Sequence, residues 1–159
     1  MITADQLQNH PSFAQLNKDQ IACLINVSHQ EDVQAGDFVF HKNDEINHFY
    51  LALSGEYEII LETPKLEVEY EYHGQPSQLK TEYMVLSVVK PREITGWSAL
   101  VPPHQATASC RCRQSGTLIA FDCQKLFECF EKDCRLGYYL IQTAAQVIGK
   151  RLGDIYKGK

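Results

Sequence analysis

Gly96-Trp97-Ser98-Ala99-Leu100-Val101-Pro102-Pro103-His104-Gln105-Ala106-Thr107-Ala108 combines a glycine turn, one short helical turn, a Pro-Pro break and a small-residue entry into a strand. Gly96 can take a positive φ and, lacking a Cβ, leaves neighbouring backbone N–H groups uncovered. The residues after it open a short helix, whose first N–H groups have no intrahelical partner. Such a helix start attracts anions, because free donors and the helix dipole act together. Small side chains at Ala106, Thr107 and Ala108 let a ligand lie against the backbone of the strand that follows. Gly96, Ser98, Ala99, Ala106 and Thr107 are therefore candidate ligand-binding residues, a frame suited to a phosphate or another small anion.

Outward from this stretch, short runs rich in β-branched and aromatic residues alternate with turn signals. Val33, Asp37–Phe40, Tyr50–Leu53, Tyr57–Leu61, Val68–Tyr72, Met84–Val88 and Thr117–Asp122 read as strands, with turns at Gly36-Asp37 and Ser54-Gly55-Glu56. Regularly spaced short strands predict a barrel or sandwich. Residues 3–25 read as helical, with Thr3 and Asp5 as caps, a division at Pro11 and a restart at Asn17-Lys18-Asp19. Cys123–Cys129 reads as a short helix, and Asp133 caps a long one running to about Tyr156. Along it, Leu136, Leu140, Ala144, Val147, Ile148, Leu152 and Ile155 step by three and four and predict one continuous apolar stripe. At about 1.5 Å per residue such a helix outruns a small barrel, so the stripe calls for a further partner.

The stretch 96–108 resembles the phosphate-binding cassette of cyclic-nucleotide-binding domains, the effector domains of the catabolite-activator type. Their pattern is Gly-Glu-x-Ala-Leu, a gap often ending in Pro, then Arg-x-Ala. In that family the Glu holds the ribose 2′-hydroxyl and the Arg pairs with the cyclic phosphate. Gly96, Ala99 and Leu100 match, and Pro103 with Ala106–Ala108 match loosely, but Trp97 stands at the Glu position and Gln105 at the Arg position. On this resemblance Trp97 and Gln105 join the candidate ligand-binding residues. Gly36-Asp37-Phe38-Val39-Phe40, Asn43-Asp44-Glu45 and Phe49-Tyr50-Leu51-Ala52-Leu53-Ser54-Gly55 repeat the family's usual approach to the cassette.

The resemblance implies a mostly β fold with flanking helices, a double-stranded β-helix or jelly-roll barrel. It implies one domain over 1–159: helices to 26, a barrel over 27–122 holding the cassette at 96–108, and helices over 123–157. It further implies a non-catalytic regulatory or sensor domain of signal transduction, with lost or altered nucleotide specificity, that forms a homodimer through the C-terminal helix. Two alternatives stay open. One is a regulatory protein that binds cAMP or cGMP through backbone N–H groups aided by Ser98 and Thr107. The other is a scaffold that holds a protein partner by its long hairpin, 62–82, and its terminal helix. The family's transcription factors continue into a helix-turn-helix domain that is not visible here, so DNA binding by this chain alone is not expected.

Arg-to-phosphate contact is charge-assisted and roughly twice as strong as a neutral hydrogen bond, so Gln105 weakens any cyclic-nucleotide reading. Arg92 and Arg111 are the substitutes to consider. Trp97 either fills barrel volume or stacks on a flat ligand and donates its N–H. The hairpin alternates Val68, Tyr70 and Tyr72 with Glu67, Glu69 and Glu71 around a turn at His73–Ser77, which reads as a solvated two-faced strand or a partner surface.

Composition bounds the rest. The 159 residues carry a net charge of −5, with 44% hydrophobic and 22% charged side chains, enough for a packed core and unfavourable for a nucleic-acid surface. Lys150, Arg151, Lys157 and Lys159 read as cations complementing a solvated helix end. No apolar run nears the ~20 residues of a membrane span and no leader pattern opens the chain, so a cytoplasmic location is expected. Cys23, Cys110, Cys112, Cys123, Cys129 and Cys134 are then expected as six reduced thiols. Cys110-Arg111-Cys112 lacks the paired spacing of zinc ligands, and His41, His48, His73 and His104 are scattered. No nucleophile or paired-carboxylate pattern stands out, so no enzyme and no metal are expected.

Overall fold

In the computed structural model, which describes residues 1–66 and 79–158, eight strands form two four-stranded sheets flanked by four helices. The N-terminal segment folds as α1 (Ala4–Gln8) and α2 (Lys18–Asn26). Both begin with a reciprocal capping box, Thr3 with Gln6 and Asn17 with Gln20, in which each cap oxygen satisfies an otherwise orphaned N–H. Asp5 lies inside the first turn of α1, where its charge complements the helix dipole, and is not the cap.

The strands are β1 (Ser28–Val33), β2 (Phe38–Phe40), β3 (His48–Ala52), β4 (Glu56–Leu66), β5 (Leu79–Val89), β6 (Ile94–Thr95), β7 (Ser109–Gln114) and β8 (Gly116–Asp122). One sheet runs β1-β8-β3-β6 and the other β2-β7-β4-β5, the mostly β jelly-roll arrangement. All of the paired strands are antiparallel. The strands share one core, with β3 and β8 buried along consecutive residues, Phe49–Ala52 and Leu118–Phe121, and Phe49 stacks there between Trp97 and Phe121 at centroid distances of 5.2 and 4.6 Å. β4 and β5 pair from Tyr57↔Val89 to Leu66↔Leu79, with one register shift at Ile59/Ile60. The expected strand Val68–Tyr72 and the turn His73–Ser77 lie outside the described residues.

After β8, Asp122 caps α3 (Cys123–Lys132) and Asp133 caps α4 (Cys134–Tyr156). The expected single stripe on α4 divides. Leu136, Leu140 and Ala144 are buried on the barrel with Val147 against them, whereas Ile148, Leu152 and Ile155 remain exposed. Steps of four residues advance about 400° at 3.6 residues per turn, so the row drifts around the helix and leaves the barrel after two turns.

The expectation of six reduced thiols fails at one pair. α2 packs against α3, and Cys23 and Cys129, 106 residues apart in sequence, are joined in a disulfide. No local spacing announces such a bond, because the tertiary packing of two helices creates it. Cys110, Cys112 and Cys123 are free and buried, and Cys134 is free and exposed. Burial pushes the Cys110 and Cys123 thiols up to about 12; they serve as small hydrophobes rather than reactive groups.

Candidate functional site

Gly96 sets the geometry of the site. Its φ is +79°, and a Cβ there would lie 3.1 Å from the His48 carbonyl oxygen and 3.2 Å from the Phe49 Cα. Both the left-handed backbone and the close approach to β3 therefore require glycine. The short 3-10 helix Trp97–Leu100 follows, with no side chain capping its start. Trp97 is 3% exposed and lies flat on Phe49, at 10° between ring planes. Its indole Nε1 has no hydrogen-bond partner among the described residues. The core-filling role expected for Trp97 and a place on the wall of a cavity are thus combined in one side chain.

The return to β7 is tied down by backbone. Asn43 N–H donates to the Ala106 carbonyl at 2.8 Å, and Ala106 N–H donates to Asp44 at 2.9 Å. His104 turns its ring back, with Nδ1 2.9 Å from the Ala99 carbonyl; because a carbonyl only accepts, that nitrogen carries the proton.

Between this loop, the barrel and α4 lies a cavity of about 380 Å³. Gly96, Trp97, Ser98, Ala106 and Thr107 are on its wall. Two other candidates are elsewhere: Ala99 is buried in the core, and Gln105 is exposed, paired through its backbone with Glu45. Barrel residues Phe40, Ile46, Ile59 and Leu86 form an apolar floor, and Ile148, Leu152 and Ile155 of α4 close the far side. Neither arginine considered as a phosphate partner reaches the cavity. Arg92 donates to the Asn9 carbonyl at 3.1 Å. Arg111 pairs with Glu58 at 2.8 Å and lies over the Tyr83 ring.

The cation on the wall is Arg151 of α4. It is half-buried, and its Nη2 donates to the Ile94 carbonyl at 2.7 Å. Burial pulls its pKa below the ordinary guanidinium value, since desolvation penalises the charged form. Reading it as one of several solvated helix-end cations missed this. The signal was present: 148, 151, 152 and 155 share the i, i+3, i+4, i+7 spacing of one helix face, so Arg151 belongs with the apolar residues that cover the cavity.

A second polar cluster lies beside the cavity. The Ser109 hydroxyl donates to Glu62, and His41 Nδ1 is 3.1 Å from the same carboxylate. These hydrogen bonds, that from Ser109 first, hold the Glu62 carboxyl below its usual range. A carboxylate so stabilised is a weak base, and His41 contacts the carboxylate rather than the hydroxyl, so the cluster braces β7 on β4 and forms no nucleophile–base pair. Among the described residues no group of three or more His, Cys, Asp or Glu side chains is placed to hold a metal ion. No helix among them is long and apolar enough to cross a membrane.

Known proteins agree with this architecture. The family model for the cyclic nucleotide-binding domain matches residues 30–133. A Geobacter metallireducens GS-15 protein, described as a candidate cyclic nucleotide-binding protein, is 22% identical with a TM-score of 0.77, covering 96% of this chain and 99% of its own. A cyclic nucleotide-binding domain of Methylobacillus flagellatus KT is 14% identical, TM-score 0.72, over 97% of this chain and 78% of its own. The sensor domain of the transcriptional regulator DNR of Pseudomonas aeruginosa is 19% identical, TM-score 0.68, over 94% and 91%. At these identities the likeness is one of fold. No curated protein matches the sequence. The match over most of the barrel, with the glycine-turn cassette in place, makes the chain a member of the cyclic nucleotide-binding domain family.

Proposed function

We propose that the chain is a non-catalytic regulatory domain whose pocket has exchanged the family's nucleotide specificity for another. One observation carries this reading: the cassette side of the cavity bears Trp97, Ser98 and Thr107 and no cation, while Gln105 is exposed and does not line it. A cyclic phosphate placed there would lack a charge-assisted partner from the cassette, and Trp97, stacked on Phe49 in the core, offers no acceptor for a ribose hydroxyl. Calorimetric titration with cAMP and with cGMP tests the reading. Binding no tighter than about millimolar is expected, and micromolar binding of either nucleotide overturns it.

A homodimer through α4 belongs to the same proposal. Tyr138, Ile141, Ala145, Ile148, Leu152 and Ile155 are all exposed and follow one another by three, four, three, four and three residues. That is the heptad spacing of a two-helix seam, on a different face from the row buried on the barrel. A second copy of α4 would cover it by two-fold symmetry, each seam meeting itself.

A further inference from the structure

Resting on the exchange of specificity just argued, we propose that the cavity binds a small amphiphile, an oxyanion carried on an apolar body, whose charged group is held by Arg151 of α4 rather than by the cassette. Three observations converge on it. The first is an unmatched charge. Among the described residues no carboxylate oxygen lies within 4.0 Å of the Arg151 guanidinium, although the group is half-buried. Glu93 acts on the guanidinium from beyond contact distance, and a partly desolvated cation with no counter-ion in contact is unfavourable; an anion entering the cavity supplies that contact.

The second is donor capacity. Of the five N–H donors of a guanidinium, the Ile94 carbonyl takes one at 2.7 Å. That bond fixes the planar fork against β6 and leaves donors for the bidentate contact that carboxylate and phosphate both accept. Ser98 and Thr107 add hydroxyls from the cassette side of the same cavity.

The third is the character of the remaining wall. Phe40, Ile46, Ile59, Leu86, Ile148 and Leu152 offer hydrocarbon and aromatic surface, which gains by covering an apolar body. Apart from the hydroxyls of Ser87, Thr95, Ser98 and Thr107, that surface offers no partner to the hydroxyls of a sugar, and each one buried unpaired costs free energy. Its volume of about 380 Å³ suits a small ligand.

The test is calorimetry on the full chain with octanoate, octyl phosphate and the neutral octanamide, on the wild type, Arg151→Met and Arg151→Lys, beside the cAMP titration. Both anions should bind the wild type at least about tenfold tighter than octanamide. Arg151→Met should erase that difference, and Arg151→Lys, a point charge without the planar fork, should keep part of it. The tighter of the two anions identifies the headgroup as carboxylate or phosphate. Equal binding of octanamide and the anions, no binding of either anion, or anion affinities unchanged in Arg151→Met would each overturn the proposal. Should Arg151→Met not fold, the contrast of charged with neutral amphiphile on the wild type and the Lys variant decides it. Micromolar cAMP counts against the exchanged specificity and is read independently of the amphiphile arms.

Discussion

His10 illustrates how a single side chain joins the N-terminal segment to the barrel. It is 5% exposed. The Ser12 N–H donates to its Nδ1 at 3.1 Å, so Nδ1 must be the unprotonated nitrogen, and Nε2, 2.6 Å from the Arg92 carbonyl, is the donor. The neutral ring satisfies both neighbours. Desolvation by burial lowers its pKa from the ordinary 6.5, outweighing the hydrogen bond to the Arg92 carbonyl that raises it. The unfolded chain then takes up this proton at higher pH than the folded one does. Its contribution to stability is complete above pH 6.5 and is lost as pH falls below that value towards the lowered pKa of the fold. Melting temperature should decline from pH 7 to pH 5.5 (roughly the titration range of histidine). His10→Leu should flatten that decline while costing about 1–3 kcal/mol at pH 7, because the Arg92 carbonyl and Ser12 N–H lose their partner. An unchanged slope in the variant would refute the assignment. Residues of this kind are hard to read in sequence. His10 is separated by 82 positions from the carbonyl it serves, and nothing local marks it, whereas Gly96 announces itself by the turn it must make.

At the scale of elements, legibility followed the range of the forces involved. Caps at Thr3, Asn17, Asp122 and Asp133 act within three residues, so helix starts could be read from side chains alone. The cassette turn was equally local. The two-residue strand β6 was missed because pairing with β3, not its own composition, makes it a strand. The bond between α2 and α3 was misread for the same reason, since only the packing of two distant helices brings Cys23 to Cys129. Its consequence can be measured. In denaturant without reductant, four of the six cysteines should react with a thiol reagent, and all six after reduction. Cys129→Ser should lower stability to denaturant by about 2–4 kcal/mol, because the bond restricts a long loop of the unfolded chain. Six thiols reacting without reduction would contradict the bond.

For the molecule as a whole, α4 is where the proposed ligand site and the proposed dimer seam meet. Its first half is anchored by Leu136, Leu140 and Ala144 in the core, and its second half carries Arg151 over the cavity. The exposed row from Tyr138 to Ile155 runs along both halves. A sequence pattern of threes and fours cannot separate these faces, because two apolar rows overlap on one helix; burial on the barrel separates them. The separation also chooses the variants. Ile141 and Ala145 lie on the exposed row but do not line the cavity, so Ile141→Asp with Ala145→Glu would place unpaired charge in a two-fold seam without touching the pocket or the buried row. Light scattering at about tens of micromolar, an ordinary range for such interfaces, should report a dimer for the wild type and a monomer for the double variant. The variant should keep the same circular dichroism and the same octanoate affinity as the wild type. A wild-type chain that is monomeric at that concentration, or a double variant that stays dimeric, would show that the heptad row is not the seam. Loss of octanoate binding on dissociation would instead show that the second copy helps to close the pocket, making assembly a condition of recognition rather than its neighbour on the same helix.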